Sequence, residues 1–383
     1  MENLSPSLTL AITALARELK AQGKDILSFS AGEPDFDTPQ IVKDAAIKAI
    51  NDGQTKYTAV EGITATKQAI INKLKKDHNL DYKLDNILIS NGAKHSLFNL
   101  FQVLVEEGDE VIIPAPYWVT YPEQVKFSDG VPVFIDTDDS TEFKITPEQL
   151  KAVITPKTKI LLLNTPSNPT GSVYTKEELT ALGKVLEGTD IIVLSDEMYE
   201  KIIYNGKKFT AAAEVSEDMF KRTVTINGLS KAVAMTGWRF GYLASPDVKL
   251  VKALTKLQGQ VTSNINTMTQ YAAIPALEGD ADADIEMMRA AFEERKNIVV
   301  KSFNEIKGLS TIDPDGAFYA FVNIKAVTND SMKFCADLLE QKGVALVPGL
   351  AFGTEGYVRF SFATDLATIQ EGIKRIKEFV ENK

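Results

Sequence analysis

With 383 residues, 44% apolar and 25% charged, the chain exceeds one ordinary small domain and can bury a sizeable core. Its 42 basic and 52 acidic side chains leave a formal charge of −10 with no basic block, which argues against nucleic acid as a partner. A lone cysteine, Cys335, rules out an intrachain disulfide, and with His78 and His95 in separate helical stretches no metal site is expected.

The apolar stretch Leu8–Ala16 ends in a small-residue triplet like that of a secretory leader, but the only charge before it is Glu2. The pattern runs on to Gly23 and reads as an amphipathic helix closed by glycine. No run reaches the length of a membrane span, so a cytoplasmic protein without a membrane partner is expected. Strand-like runs then alternate with helical patterns. Ile87–Ser90 leads into a helix over Gly92–Val105, and Val111–Pro114 and Val131–Ile135 follow. Lys159–Asn164 precedes a helix at Lys176–Glu187, and Ile191–Ser195, Thr223–Ile226 and Phe240–Ala244 complete the set. Short, continuously apolar strands between helices predict an α/β unit with a mostly parallel sheet covered on both faces.

Near Glu278 the composition turns acidic and small. A long helix is predicted over Ile285–Lys307, strands at Ala317–Ile324 and Tyr357–Phe362, and helices at Ser331–Lys342 and Leu366–Glu381. The Ser331–Lys342 helix would hold Cys335 as a packed, inert thiol. This tail reads as a smaller α+β domain that the N-terminal helix can join. The expected division is a large domain at 31–279 and a discontinuous small one at 1–30 and 280–383.

Several segments stand out where strands end. Asp196-Glu-Met-Tyr199 puts a carboxylate at the carboxyl end of a buried strand, facing the crevice of an α/β sheet. An apolar run ending in Asp-Glu also suits a nucleotide-hydrolysing strand. That reading needs a G-x-x-x-x-G-K-[ST] loop, and the nearest candidate, Asn91-Gly-Ala-Lys94-His-Ser, has the wrong spacing. Asn164-Thr-Pro-Ser-Asn168-Pro-Thr-Gly171 reads as a rigid loop after a strand. At Ser90-Asn-Gly92-Ala93-Lys94 a strand meets a helix, and free backbone N–H groups there suit phosphate, so Gly92, Ala93 and Lys94 form a candidate phosphate cradle. Trp118 in Pro116-Tyr-Trp118 can stack on a flat ring. Arg359 lies amid apolar residues in Tyr357-Val-Arg359-Phe-Ser, which predicts a partly buried cation in need of an anion, with an internal ion pair as the alternative. In Ala31-Gly32-Glu-Pro-Asp-Phe-Asp-Thr38-Pro39 the last two residues predict an N-cap and the first helical position.

The longest pattern is Gly228-Leu-Ser-Lys231-Ala-Val-Ala-Met-Thr-Gly237-Trp-Arg239-Phe-Gly241. It resembles the pyridoxal 5′-phosphate (PLP) attachment signature of class I aminotransferases, and the other segments follow in that family's order from Gly32 to Arg359. The likeness is nearest to the bacterial aspartate aminotransferase subgroup, some of whose members use prephenate or aromatic substrates. It implies the fold-type I architecture and a PLP cofactor. Lys231 would hold PLP through an imine and shuttle the proton between substrate and cofactor. Arg239 would clamp the phosphate bidentately, and Gly228 and Ser230 would allow close backbone approach. Asp196 would pair with the ring nitrogen, Tyr199 and Asn168 would donate to the phenolic oxygen, and Trp118 would stack on the ring. Arg359, Asn168 and Gly32 would receive the substrate carboxylate. Gly228 departs from relatives that have serine there, which removes one phosphate contact.

The implied reaction is ping-pong amino transfer from an amino acid, aspartate in that subgroup, to a 2-oxo acid such as 2-oxoglutarate. An aromatic-amino-acid or prephenate aminotransferase, a carbon–sulfur lyase on the same fold and, more remotely, a non-catalytic PLP-binding regulator are the alternatives. The resemblance also implies a homodimer with shared active sites, in which Tyr57 reaches the partner subunit's phosphate; Thr262–Asn266 is a second candidate for a cross-subunit contact.

Overall fold

The computed structural model describes residues 6–382. The central sheet has seven strands: β1 (Ile87–Asn91), β2 (Glu110–Ala115), β3 (Val131–Asp136), β4 (Thr158–Asn164), β5 (Ile192–Asp196), β6 (Thr223–Gly228) and β7 (Phe240–Ala244). Their spatial order is β1-β7-β6-β5-β4-β2-β3. Neighbours run parallel except where β7 lies antiparallel to both β1 and β6, so the sheet is mostly parallel, as expected.

The alternation of side chains along a strand explains why these runs are apolar throughout. In β1, Leu88 joins one core with Leu97 and Leu243, while Ile87 and Ile89 join another with Ile70 and Tyr242. Helices therefore cover both faces and neither face is free to be polar. At their carboxyl ends β4 and β5 turn polar. Asn164 and Asp196 sit side by side in the β4–β5 register, at the edge where ligands of such sheets bind.

A second sheet has three antiparallel strands, with Tyr357–Ser361 between Val347–Pro348 and Tyr319–Asn323. The long helix Asp282–Asn304 and the helix Ser331–Lys342 both pack against Leu366–Glu381. The N-terminal helix Leu8–Ala21, capped by the Ser7 hydroxyl, lies against Val344–Ala345 and Val347–Pro348. Its continuation, Leu27–Ser28, pairs in parallel with Val344–Ala345. No helix among the described residues is long and apolar enough to cross a membrane.

Two expectations shift. The long helix begins at Asp282 and ends at Asn304, about a turn earlier than its apolar spacing indicates, because the acidic residues of its first turn complement the helix N-terminus. The expected cap at Thr38 is also displaced: Pro39 is the N-cap of the helix Gln40–Asn51 and no side chain caps it. The Thr38 hydroxyl instead donates to the Ala234 carbonyl at 2.7 Å and accepts from the Trp238 indole at 3.0 Å. A capping hydroxyl is thus diverted to brace the loop that carries Lys231.

Candidate active site

Most of the residues singled out above meet around one cavity of about 630 Å³ at the carboxyl edge of the sheet. Gly32, Ala93, Lys94, Trp118, Asn168, Asp196, Tyr199, Lys231, Arg239 and Arg359 all line it. Gly92 stands just behind the wall: a Cβ there would come within 2.2 Å of the Arg239 guanidinium, and its φ of 80° suits only glycine comfortably. Tyr57 does not line the cavity and is 90% exposed.

Asp196 ends β5 with its side chain buried and no cation paired to it among the described residues. One carboxylate oxygen accepts the Tyr121 hydroxyl at 2.8 Å and the other the Met198 N–H at 3.3 Å. Burial lifts its pKa to about 6 despite these bonds. Such a carboxylate calls for a cationic group in the cavity. Neighbouring Asn164 holds the next loop in place, donating to the Asp196 carbonyl at 3.1 Å and accepting the Asn168 N–H at 2.8 Å.

Lys231 follows β6, and its ammonium donates to the Gly32 carbonyl. Burial lowers its pKa to about 8; Glu33 opposes that shift, while Arg359 and Arg239 reinforce it. An amine so placed can lose and regain a proton near neutral pH. Arg239 adopts the left-handed conformation, φ 58°, which folds its guanidinium back to the Thr236 carbonyl at 2.9 Å. No carboxylate pairs with it among the described residues. The adjacent helix Ala93–Leu104 starts without a side-chain cap, so its first N–H groups face the same end of the cavity as Arg239. A Cβ on Gly241 would strike the Ala93 nitrogen at 2.4 Å, so glycine in β7 lets the helix start approach the sheet. Gly228 instead lets β6 lie close to β7, since a Cβ there would lie 2.6 Å from the Phe240 carbonyl. An uncapped helix start beside an unpaired arginine suits a phosphate.

Arg359 is 1% exposed. It donates to Asn168 Oδ1 at 2.9 Å and to the Ser30 carbonyl at 2.7 Å, its Nε is unpartnered, and no carboxylate pairs with it among the described residues. The ion-pair alternative for this arginine is therefore set aside. The cavity thus presents an anion-hungry cation, an anion-hungry helix start, a lysine of lowered basicity and a cation-hungry carboxylate. A flat ring with a protonatable nitrogen at one end and a phosphate at the other fits those four features. Lys94 projects its ammonium 4.9 Å from the centroid of Trp118, at the cavity mouth.

Sequence reasoning passed over several members of this site. Tyr121 lies one helical turn beyond Trp118, a spacing that was the only available hint. Tyr319 looked like one more aromatic of an apolar strand. Ser7, Thr13 and Arg17 bring the N-terminal helix to the rim. Behind the Asp196–Glu200 wall, Asp77, His78 and Glu200 bring ligand-type atoms within 4.8 Å of one another. Lysines occupy those carboxylates, however: Lys73 pairs with both Glu200 and Asp77, and Lys201 lies 2.8 Å from Asp77. The cluster is an ion-pair network.

The family model for aminotransferase class I and II matches residues 24–376. The chain belongs to that family. Among similar class I and II aminotransferases, aspartate aminotransferase of Geobacillus stearothermophilus is 50% identical over 99% of this chain and 97% of its own. Aspartate/prephenate aminotransferase of Nitrosomonas europaea is 48% identical over 98% of this chain and 97% of its own. The crystal structure of an aspartate aminotransferase from Rhizobium meliloti superposes with a TM-score of 0.96 at 41% identity, covering 99% of this chain and 97% of that one. The class I and II aminotransferase described here accordingly has the fold-type I architecture, and it is an enzyme of amino transfer.

Proposed function

We propose that the enzyme is a PLP-dependent aspartate aminotransferase, passing the amine of aspartate to 2-oxoglutarate by a ping-pong route. The observation that carries this reading is Arg359, a buried guanidinium without an acidic partner among the described residues, on the same cavity as Lys231 and Asp196. A substrate carboxylate supplies the missing anion. When bound, PLP supplies an aldehyde that takes the amine and a pyridine ring that withdraws electrons from it.

The chain's own residues do the rest. Asp196 accepts a hydrogen bond from the ring nitrogen and holds the proton there. The N–H groups of Ala93 and Lys94, with Arg239, hold the phosphate, and Gly92 keeps the space for that arginine. Trp118 covers one ring face, and Tyr199 and Asn168 donate to the phenolic oxygen. Arg359, Asn168 and the Gly32 backbone orient the substrate carboxylate. Lys231 takes the proton from the substrate's Cα and would deliver it to the cofactor carbon that received the amine, a role worth roughly 10²–10⁴-fold in rate.

Aspartate is favoured over aromatic donors because cations stand at the rim. Lys94 has no carboxylate partner among the described residues, and Arg17 has only a loose, solvent-exposed contact with Glu33 at 3.9 Å. Either can meet a distal carboxylate. The names of the similar enzymes support the same donor. We also propose a cytoplasmic homodimer in which Tyr57 serves the partner's phosphate, with a large domain at 31–279 and a small one at 1–30 and 280–383.

The test is a screen of amino donors with 2-oxoglutarate, including asparagine, which matches aspartate in shape without its charge. Glutamate and oxaloacetate should form, with aspartate ahead of asparagine, alanine and the aromatic donors in kcat/KM. An aromatic donor or prephenate acceptor at least tenfold better would overturn the substrate. Release of ammonia and pyruvate would mark a carbon–sulfur lyase, and the absence of any turnover with bound PLP a regulator.

A further inference from the structure

Tyr319 is fully buried on the first position of the strand Tyr319–Asn323 and lines the cavity. In the three-stranded sheet Arg359 pairs with Phe321, and Tyr319 pairs with Ser361. Tyr319 and Arg359 are therefore diagonal neighbours whose side chains share a face. The guanidinium lies 4.4 Å from the Tyr319 ring centroid, and the Phe352 ring lies 5.1 Å from it. With the bonds to Asn168 and Ser30, these rings fix the plane in which Arg359 presents its free edge.

The other end of the same side chain meets the cofactor side of the cavity. The Tyr319 and Tyr199 hydroxyls are 2.8 Å apart, both buried, with their rings edge to face. A Cβ on Gly32 would lie only 3.1 Å from the Tyr319 hydroxyl, so that oxygen also abuts the backbone whose carbonyl Lys231 binds. The two hydroxyls hold one proton each. If Tyr199 turns its proton toward an oxygen in the cavity, the 2.8 Å contact remains a hydrogen bond only with Tyr319 as its donor. Tyr319 then has no proton left for substrate or cofactor and acts only through Tyr199.

We infer that Tyr319 is a positioning residue for the amino-transfer site: its hydroxyl donates to Tyr199 and so aims the Tyr199 proton at the cofactor, while its ring face sets the plane of the carboxylate-binding Arg359. One side chain thus couples the cofactor-side donor to the substrate clamp. This rests on the function proposed above, through the roles assigned to Tyr199 and Arg359.

Two variants of the PLP-loaded enzyme separate the two actions. Tyr319→Phe keeps the ring and loses the hydroxyl. A donor chain strengthens each of its bonds by a fraction, so the pH midpoint of the bound cofactor's visible absorption should rise by roughly 0.2–0.6 pH units, because the oxygen that Tyr199 serves holds its proton more tightly. Its KM for the amino acid should stay within about twofold of wild type, since the cation–π contact is kept. Tyr319→Leu also removes the ring. KM should rise by roughly 3- to 30-fold, the size of a lost buried cation–π contact. PLP affinity should be unchanged in both variants, because neither action of Tyr319 holds the phosphate.

An unmoved absorption midpoint in Tyr319→Phe, or equal KM in the two variants, overturns the inference. So does a parallel fall of PLP affinity and melting temperature in both, which would mean a structural role. If the wild-type chain takes up no PLP at Lys231, the proposed function falls and the inference with it. A wild-type chain with a normal absorption band and silent variants refutes the inference alone.

Discussion

At the scale of single residues, the site is defined by charges that lack their natural partners. Among the described residues, Asp196 is a buried anion without a paired cation, and Arg359 is a buried cation without a paired anion. Leaving a charge so placed is unfavourable for the empty fold and is offset when a ligand of opposite charge arrives. Lys231 differs in that burial has already moved its pKa to about 8. Replacing it with alanine should leave PLP binding through the phosphate and ring contacts but abolish nearly all turnover. Borohydride reduction followed by peptide mapping checks the assignment: the wild-type tag belongs on Lys231, and a tag on any other lysine refutes it. Arg359→Lys keeps the charge and gives up the planar fork. A charge-assisted hydrogen bond is worth about 1.5–3 kcal/mol, so kcat/KM for the amino acid should fall about 10- to 100-fold while PLP affinity holds. Weak PLP binding with normal substrate kinetics would make this arginine a structural residue instead.

At the scale of elements, the segment after β5 is held from behind by the helix Thr64–His78. Lys73 and His78 from that helix grip Glu200, one residue past Tyr199. His78 places Nε2 2.9 Å from Glu200 and Nδ1 3.2 Å from Glu214, with the edge of the Phe209 ring beside it. Burial by itself would lower its pKa, but the two carboxylates win and raise it to about 9. Glu200 is held well below the usual carboxylate range: burial opposes this, and Lys73 and His78 outweigh it.

The pH consequence of this network has a definite sign. A histidine with a folded pKa above its unfolded value of about 6.5 stabilises the fold fully below that value. The contribution is lost as pH rises through about 9. Glu200 stays ionised over that whole window and adds a constant. Melting temperatures of wild type and His78→Gln should therefore differ most near pH 6 and converge by about pH 10. A gap that stays constant or widens would show that His78 is neutral in the fold. Lys73→Met leaves Glu200 with only His78 and Asp77 with only Lys201, so denaturant unfolding should show a loss that approaches but stays below the ~3–5 kcal/mol of a fully broken buried pair.

At the scale of the whole molecule, one described chain leaves Tyr57 with nothing to do. It projects into solvent from a loop whose Lys56 carbonyl is anchored by the Thr267 hydroxyl at 2.8 Å. A large, nearly bare aromatic on a fixed loop makes sense if a partner subunit receives it, and two-fold closure is the commonest soluble assembly. Tyr57→Phe should then weaken PLP binding by about 1.5–3 kcal/mol, one hydrogen bond to a charged acceptor. A mixed dimer of a Tyr57→Phe chain with a Lys231→Ala chain holds one site carrying both defects and one carrying neither. It should show half the wild-type activity per dimer, with wild-type PLP affinity at the working site. Weakened affinity at that site would mean that Tyr57 serves its own subunit.

What the sequence determined by itself is the part of the protein that rests on neighbours along the chain. Strand runs, helix periods and the loops at strand ends are local. For that reason the sheet, its mostly parallel sense and the place of Asp196 at a strand end were legible from pattern, whereas Asn168, Lys231 and Arg239 were singled out by their resemblance to a family signature. The tertiary structure decided everything that depends on what lies across the fold. Thr38 looked like a helix cap because its neighbours suit one, yet Ala234 and Trp238, 196 and 200 residues away, claim its hydroxyl. Tyr121 became the partner of Asp196, and Tyr319 the partner of Tyr199 and Arg359, only when separate strands and helices met at one cavity. His78 and Glu200 read as two unrelated polar residues until the helix packed behind the sheet and left each as the other's counter-charge. A side chain's type is written locally, but burial and partners belong to the packed chain, and they decide whether a tyrosine is filler or a donor.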